Sequence, residues 1–419
     1  MTRGRLVVPR ARREKDTVRR ARILVVACHL PFPPLSGGRR RELELIRRLA
    51  TRFDLHLLVV SKTFDEDLAN ARELERVCSS VEIFEAEPLP PGRGFGAAPL
   101  QVLRHRCPEL TRRVGSILRS EEVDLVHVEG YYLMQHVPRD VDVPVFLVEQ
   151  NVEYDLVRQH ALADAVDGAW ELAVAMRAEH DAWRRATMLG VLTREDGDIL
   201  RAALHGEDVR LVPDGADHVP LRASRLDSRR RGSAPRIAFV GNFGYAPNVD
   251  AATHLCAEIL PRVAARVPDV RLWLVGNQPT PAVRALAGQS VRVTGRVSDV
   301  VPYIDAADVM VCPLRIGGGI KVKSIEALRR GKAIVSSSIG AQGLSPQARR
   351  AIATADEPEP FADAVVGLLS DPERRRRAER RAAAAGASLP TWDAASEAVA
   401  RAYRDLLRVP ALVPAAGRR

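Results

Sequence analysis

The sequence predicts two doubly wound α/β domains in tandem. Three observations carry this reading. Short β-branched apolar runs alternate with longer amphipathic stretches from residue 22 onward, and the runs are near-continuously apolar, as strands buried on both faces of a parallel sheet are. A charged, apolar-poor stretch at residues 222–235 (RASRLDSRRRGSAP) interrupts the alternation, which then restarts. At 419 residues the chain is long enough for two or three domains with large cores.

In chain order, residues 22–29 (RILVVACH) form the first strand, a Pro- and Gly-rich loop follows, and a helical pattern runs over 38–50. Further strands are expected at 55–60, 81–84, 125–128, 145–148 and 189–193, with a long covering helix over 153–186. These make a first Rossmann-like domain over 22–213. Beyond the break, strands at 237–240, 272–275, 291–294, 309–312, 333–336 and 352–354 predict a second over 214–390. Helices at 359–370 and 372–386 close it. A break at Pro390 precedes an amphipathic helix over 392–407, and residues 408–419 read as frayed. Residues 1–21 read as a basic disordered tail, because charges interrupt them before any signal-peptide apolar stretch forms.

Hydrophobic residues are 46% and charged residues 28%, which excludes global disorder. The 63 basic residues against 53 acidic leave a net charge of +10, favouring anionic partners: nucleotide phosphates, nucleic acid or an acidic membrane surface. Only five of the basic residues are lysines. The five cysteines are scattered without a CxxC spacing, which points to reduced cytoplasmic usage and no zinc site. No apolar run is long enough for a transmembrane helix.

The chemistry-bearing residues gather at strand ends, where ligands bind in open parallel sheets. Gly37 and Gly38, in PPLSGG, allow close backbone approach before a helix N-terminus. The same residues also suit a plain turn. His127 and Glu129 end one strand, and Glu149 with Asn151 end the next. Gly241 and Asn242, then Gly276, then Gly295, Arg296 and Val297 follow three successive strands of the second domain. The sharpest feature is residues 313–326, PLRIGGGIKVKSIE. Its glycines, Gly318 and Gly319 among them, lead into a helix and suit a phosphate cradle. Lys321 and Lys323 add point charges, and Glu326, one turn into the helix, suits vicinal ribose hydroxyls. A solvated loop and an exposed helix face are the alternative. No Walker A loop occurs here, and no GxGxxG fingerprint marks the first strand.

Taken together, these residues resemble the GT-B glycosyltransferases of family 4 over residues 22–408. The resemblance rests on Ser36-Gly37-Gly38, His127, Asp214-Gly215-Ala216-Asp217, Gly241–Phe243, Leu274–Gly276, Gly295–Val297, Ala307–Pro313, the run from Gly317 to Glu326, and Ala333–Leu344. It implies two facing Rossmann-like domains, with a nucleotide-sugar donor in the cleft and a C-terminal helix, 391–408, crossing back to the first. By the same resemblance the enzyme is a retaining hexosyltransferase-like transferase that needs no metal and no cofactor. His127 would be catalytic and face the transferred sugar; Glu149 and Asn151 would contact the acceptor. Two departures stand out. Gly318 occupies the position of the first glutamate of the family's two-glutamate motif, and Asn248 lies where a basic pair is usual.

The implied acceptor is a cell-envelope polysaccharide, a glycolipid or a small molecule. The expected location is the cytoplasm, with possible peripheral contact at an acidic membrane and no nucleic-acid partner. A nucleotide-sugar epimerase of the same fold and a non-catalytic basic binding protein are the alternatives. The second lacks aromatic interleaving, since aromatics are 5%.

Overall fold

The structure, a computed structural model, describes residues 4–7, 19–89, 98–164, 168–205, 208–221 and 234–408. The chain divides into two compact units. One takes the residues up to Pro213 together with those from Asp393; the other is Asp214–Trp392.

The first unit holds an eight-stranded sheet of β1 (Gly4–Val7), β2 (Arg22–Ala27), β3 (Asp54–Ser61), β4 (Ser80–Glu85), β5 (Leu125–Glu129), β6 (Val145–Glu149), β7 (Met188–Val191) and β8 (Val209–Leu211). Their order is β1-β4-β3-β2-β5-β6-β7-β8. Every pairing is parallel except β1 on β4. The disordered tail expected over 1–21 is therefore corrected at Gly4–Val7, because the open edge of β4 offers unpaired N–H and C=O groups to an added strand. Residues 222–233, most of the charged break, lie outside the described residues.

The single helix expected over 153–186 is two, Glu153–Asp164 and Ala169–Arg185. The three-residue β8 carries too little pattern to read from sequence. The C-terminal helix Trp392–Arg408 places Val399, Ala402, Tyr403 and Leu406 on one buried face. Tyr403 packs edge-on against Phe53 at 5.2 Å and Phe146 at 6.0 Å, and Arg48 Nε donates to Asp393 Oδ1 at 2.6 Å.

The second unit is a six-stranded, wholly parallel sheet: β9 (Arg236–Val240), β10 (Arg271–Val275), β11 (Val291–Val293), β12 (Val309–Cys312), β13 (Ala333–Ser336) and β14 (Ala353–Thr354), in the order β11-β10-β9-β12-β13-β14. Ile237 and Phe239 join a core with Leu272 and Leu274 on one face. Ala238 and Val240 join Met310 and Ile334 on the other. This two-sided burial is why the strands read as unbroken apolar runs. Each buried Ile or Phe contributes about 1.5–3 kcal/mol.

Both sheets are doubly wound. In the first unit the chain runs outward from β2 to β4, then restarts beside β2 at β5; in the second it restarts beside β9 at β12. The carboxyl ends of β2 and β5, and of β9 and β12, are thus topological switch points, where neighbouring loops diverge and leave a crevice.

Candidate functional site

At the switch point of the second unit, β12 ends at Cys312 and the glycine loop leads into the helix Val322–Arg329, with Lys321 as its N-cap residue. Gly319 takes φ +62°, a conformation open to glycine. Lys321 is 6% exposed, and its Nζ donates to the Gly318 and Gly319 carbonyls, each at 2.8 Å. The expected free charge for a diphosphate is corrected here: Lys321 ties down its own loop. Side-chain-free glycines leave their carbonyls open, and an ammonium with three donors satisfies them.

Lys323 points elsewhere. Its Nζ donates to Asn248 Oδ1 at 2.5 Å and stands 4.8 Å over the centre of the Phe239 ring. Burial pulls its pKa below the usual lysine range, while Cys312 and Glu326 pull the other way. Asn248 in turn donates to the Asn242 carbonyl at 2.8 Å. The loop after β9 and the helix after β12 thereby meet through Asn242, Asn248 and Lys323.

Glu326 lies three residues beyond Lys323 on the same helix. Its Oε1 is 3.5 Å from His218 Nε2, and His218 Nδ1 accepts from Trp392 Nε1 at 3.2 Å. The sequence reading missed His218; its place just after Asp214–Asp217 was the available signal.

Gly241, Gly276 and Gly295 close three strand ends. Gly276 has φ +149°, and a Cβ there would stand 1.8 Å from the Gly241 carbonyl oxygen. Its amide donates to Thr294 Oγ1 at 3.3 Å, beside Gly295. Strand-end packing therefore already explains Gly276. Arg296 is exposed, and Val297 is half-buried against the core. A cavity of about 310 Å³ lies beyond the ends of β12, β13 and β14, lined among others by His254, Arg315, Ser337 and Asp356. Its lining includes none of Lys321, Lys323 and Glu326.

In the first unit the expectations need more correction. His127 is 3% exposed. Its Nε2 is 3.0 Å from Glu129 Oε1, and its Nδ1 is hydrogen-bonded to the Tyr403 hydroxyl. The space beside it, about 10 Å³ lined also by Glu42, Leu45 and Tyr403, holds no more than one water. A sugar cannot reach it, because the C-terminal helix covers that face of β5. His127 is a core histidine.

Glu149 is likewise structural rather than acceptor-facing. It is 1% exposed and accepts from Trp183 Nε1 at 2.9 Å and from the Tyr131 amide at 3.3 Å. Burial, then the nearby Glu179, raises its pKa well above the carboxylate range. Asn151 is half-buried and donates to Glu153 at 3.3 Å.

Gly37 and Gly38 open the helix Gly37–Leu49, capped by Ser36, whose Oγ accepts from the Arg39 amide. A Cβ at Gly38 would stand 2.9 Å from Gln150 Oε1. Gln150 Nε2 donates to both Glu42 and Glu129, each at 3.2 Å. Burial opposes the charge on Glu129, but the bond and charge of His127, with Arg41 and Gln150, hold its pKa below the usual range. Glu42, Gln150, Cys28 and His29 surround this switch point, and the sequence reading picked out none of them as site residues.

The profile of the family described as Glycosyl transferases group 1 matches residues 234–371. The "44.6 kDa protein in cps region" of Klebsiella pneumoniae is 22% identical over 83% of this chain and 90% of its own length. A phosphatidyl-myo-inositol mannosyltransferase of Mycolicibacterium smegmatis is 29% identical over 41% of the chain, which spans 45% of that enzyme. Among solved structures, Anabaena HepE, in complex with UDP and glucose, aligns with a TM-score of 0.62 at 14% identity, covering 92% of this chain and all of that one. No described helix is long and apolar enough to cross a membrane. Two doubly wound parallel-sheet domains agree with the GT-B fold of these structures, and the second unit carries the Glycosyl transferases group 1 profile over residues 234–371.

Proposed function

We propose that this glycosyltransferase moves a sugar from a nucleoside-diphosphate sugar to a glycan or lipid-linked acceptor, with retention of configuration and without a metal ion. The observation that carries the donor assignment is Lys323 held beside Asn248 at the switch point of the second unit. One ammonium, the first-turn N–H groups of the Val322–Arg329 helix and the glycine loop converge there, and departure of a nucleoside diphosphate develops negative charge. Gly241, Asn242, Gly276, Arg296 and Val297 line the neighbouring strand ends, Gly318 and Gly319 approach the phosphates, and Glu326 accepts from the ribose. Gly37 and Gly38 are assigned to the sugar by the close backbone approach that they allow before a helix N-terminus.

The relatives bear on substrates. HepE is titled with UDP and glucose, and the mycobacterial relative is named for transfer of mannose to phosphatidyl-myo-inositol. UDP-glucose and a nucleotide-activated mannose therefore head the donor panel. Peripheral membrane contact would follow from a lipid-linked acceptor and the net charge of +10.

The test is hydrolysis and transfer across that panel, with EDTA and with the anomer of the product read by NMR. Turnover of one donor, unaffected by EDTA and retaining, is expected. Manganese-dependent activity or an inverted product overturns the finer reading. Glu326→Ala should weaken both nucleoside and nucleoside diphosphate by about 10- to 150-fold, the loss of one charged hydrogen bond.

A further inference from the structure

Cys28 and His29 directly follow β2, and Glu42 faces them from the Gly37–Leu49 helix. Cys28 Sγ is 3.1 Å from His29 Nδ1, and His29 Nε2 is 3.1 Å from Glu42 Oε1. The three ligating atoms lie within 4.8 Å of one another. The imidazole stands between thiol and carboxylate and offers each a different nitrogen. That is the order of a proton relay, whereas one metal ion would need a single nitrogen directed to the side shared by sulfur and oxygen. The Tyr132 hydroxyl donates to Sγ at 3.4 Å, the His105 ring stacks on Tyr132 at 4.4 Å, and Lys62 Nζ is 3.0 Å from His105 Nε2.

We propose that Cys28 is a nucleophilic modification site, activated by His29 and Glu42, whose co-reactant is a small hydroperoxide. Nothing in the glycosyltransfer reading uses this thiol, and the proposal does not depend on that reading.

The electrostatics of Cys28 and His29 agree with the geometry, and burial raises the Glu42 pKa to about 7, so near pH 6 Glu42 acts mainly as a hydrogen-bond acceptor that orients His29. Burial opposes ionisation of Cys28, but the His29 charge and hydrogen bonds from His105 and His29 outweigh it and hold the thiol well below its ordinary range. Burial likewise opposes charging of His29, and Cys28 and Glu42 together raise its pKa well above the ordinary range. The facing groups are the cationic or protonatable His29, His105 and Lys62 on one side and Glu42, Glu153 and Tyr132 on the other. Cys78, Cys256 and Cys107 differ: burial pushes Cys78 up to about 12 and Cys256 to about 11, and raises Cys107. Cys28 is 6% exposed and the His29 side chain 19%, so access is for small electrophiles.

In the step itself, the Cys28 thiolate attacks the terminal oxygen of the hydroperoxide. An S–O bond forms, the O–O bond breaks, and the terminal hydroxyl passes to sulfur. The alkoxide or hydroxide leaves and takes the proton of the His29 imidazolium. Sulfur is oxidised by two electrons to sulfenic acid, and the peroxide is reduced to alcohol or water.

The test treats the full-length protein with iodoacetamide across a pH series and reads each cysteine by peptide mass spectrometry. A parallel sample takes hydrogen peroxide and then dimedone to trap sulfenic acid. At about pH 6, Cys28 should alkylate at least about 10-fold faster than any of the other four, and it alone should carry the dimedone adduct. His29→Gln should cost about 10-fold in that rate at pH 6 and much less near pH 9. Should that variant fail to fold, the wild-type profile decides alone. A Cys28 rate rising with the midpoint of an ordinary thiol, near ~8.5, overturns the proposal, as does an unmodified Cys28 in the folded protein.

Discussion

Lys323 and Asn248 are 75 residues apart in sequence, and their side chains meet at 2.5 Å across the switch point of the second sheet. The contact joins the helix that follows β9 (Ala246–His254) to the helix that follows β12, and it uses the asparagine that stands where a basic residue was expected. A partly desolvated ammonium with one neutral partner keeps two donors for an arriving anion.

Lys323→Ala should therefore weaken nucleoside diphosphate by about 10- to 150-fold and nucleoside only slightly. Wild-type affinity for the diphosphate should fall as pH rises through the lowered pKa of Lys323, below the ordinary lysine range, because the neutral amine no longer attracts phosphate. Calorimetric titrations at several pH values, with both ligands, check this. Affinity that is unchanged in Lys323→Ala would remove the donor phosphates from this helix.

Lys321 should behave differently from Lys323. Its amino group stitches the Gly318 and Gly319 carbonyls, so Lys321→Met should loosen the loop itself. Hydrogen exchange of the amides over 317–321 should accelerate by about 10-fold, for a cost of about 1.4 kcal/mol in local opening. Lys323→Ala should leave that exchange near wild type. Equal exchange in both variants would contradict the division of roles.

Tyr403 closes the hydrogen bonding of a histidine buried under the C-terminal helix. Tyr403→Phe keeps the ring packing but leaves His127 Nδ1 without that partner. The first unit should lose about 1–3 kcal/mol of stability, measured by urea denaturation, with nucleotide affinity unchanged. A loss of donor hydrolysis at wild-type stability would restore a catalytic part for His127.

Glu179 gives a pH signature. Each of its oxygens accepts a backbone amide, Glu153 N at 2.8 Å and Tyr154 N at 2.7 Å, yet burial dominates and raises its pKa to about 8. An acid whose pKa is higher folded than unfolded favours the folded state most below the unfolded pKa, and loses that contribution as pH rises to the folded value. Between about pH 4.5 and pH 8, Glu179 should remove on the order of 5 kcal/mol of stability. Glu179→Gln should flatten this slope relative to wild type, although it forfeits one acceptor. Denaturation curves across that range check it, and parallel pH dependences in the two proteins would show the carboxylate to be charged throughout.

The sequence by itself determined the two parallel sheets and the concentration of glycines and charged groups at strand ends. It could do so because burial on both faces leaves a local imprint: Ile237 to Val240 are apolar without alternation, since their side chains enter two cores. The edge strand β1 and the short β8 left no such imprint. The tertiary structure alone decided what each polar residue faces. His127 was legible as a polar residue near a strand end, but Tyr403, on the helix that covers it, comes 276 residues later. Lys321 and Lys323 are two residues apart and look equivalent in sequence, yet one turns back to its own loop and the other crosses to Asn248. Cys28, His29 and Glu42 carried no recognisable spacing, because two lie on a loop and one on the following helix. A side chain's neighbours are set by which elements pack over it, and that depends on contacts distant in sequence, which no local pattern records.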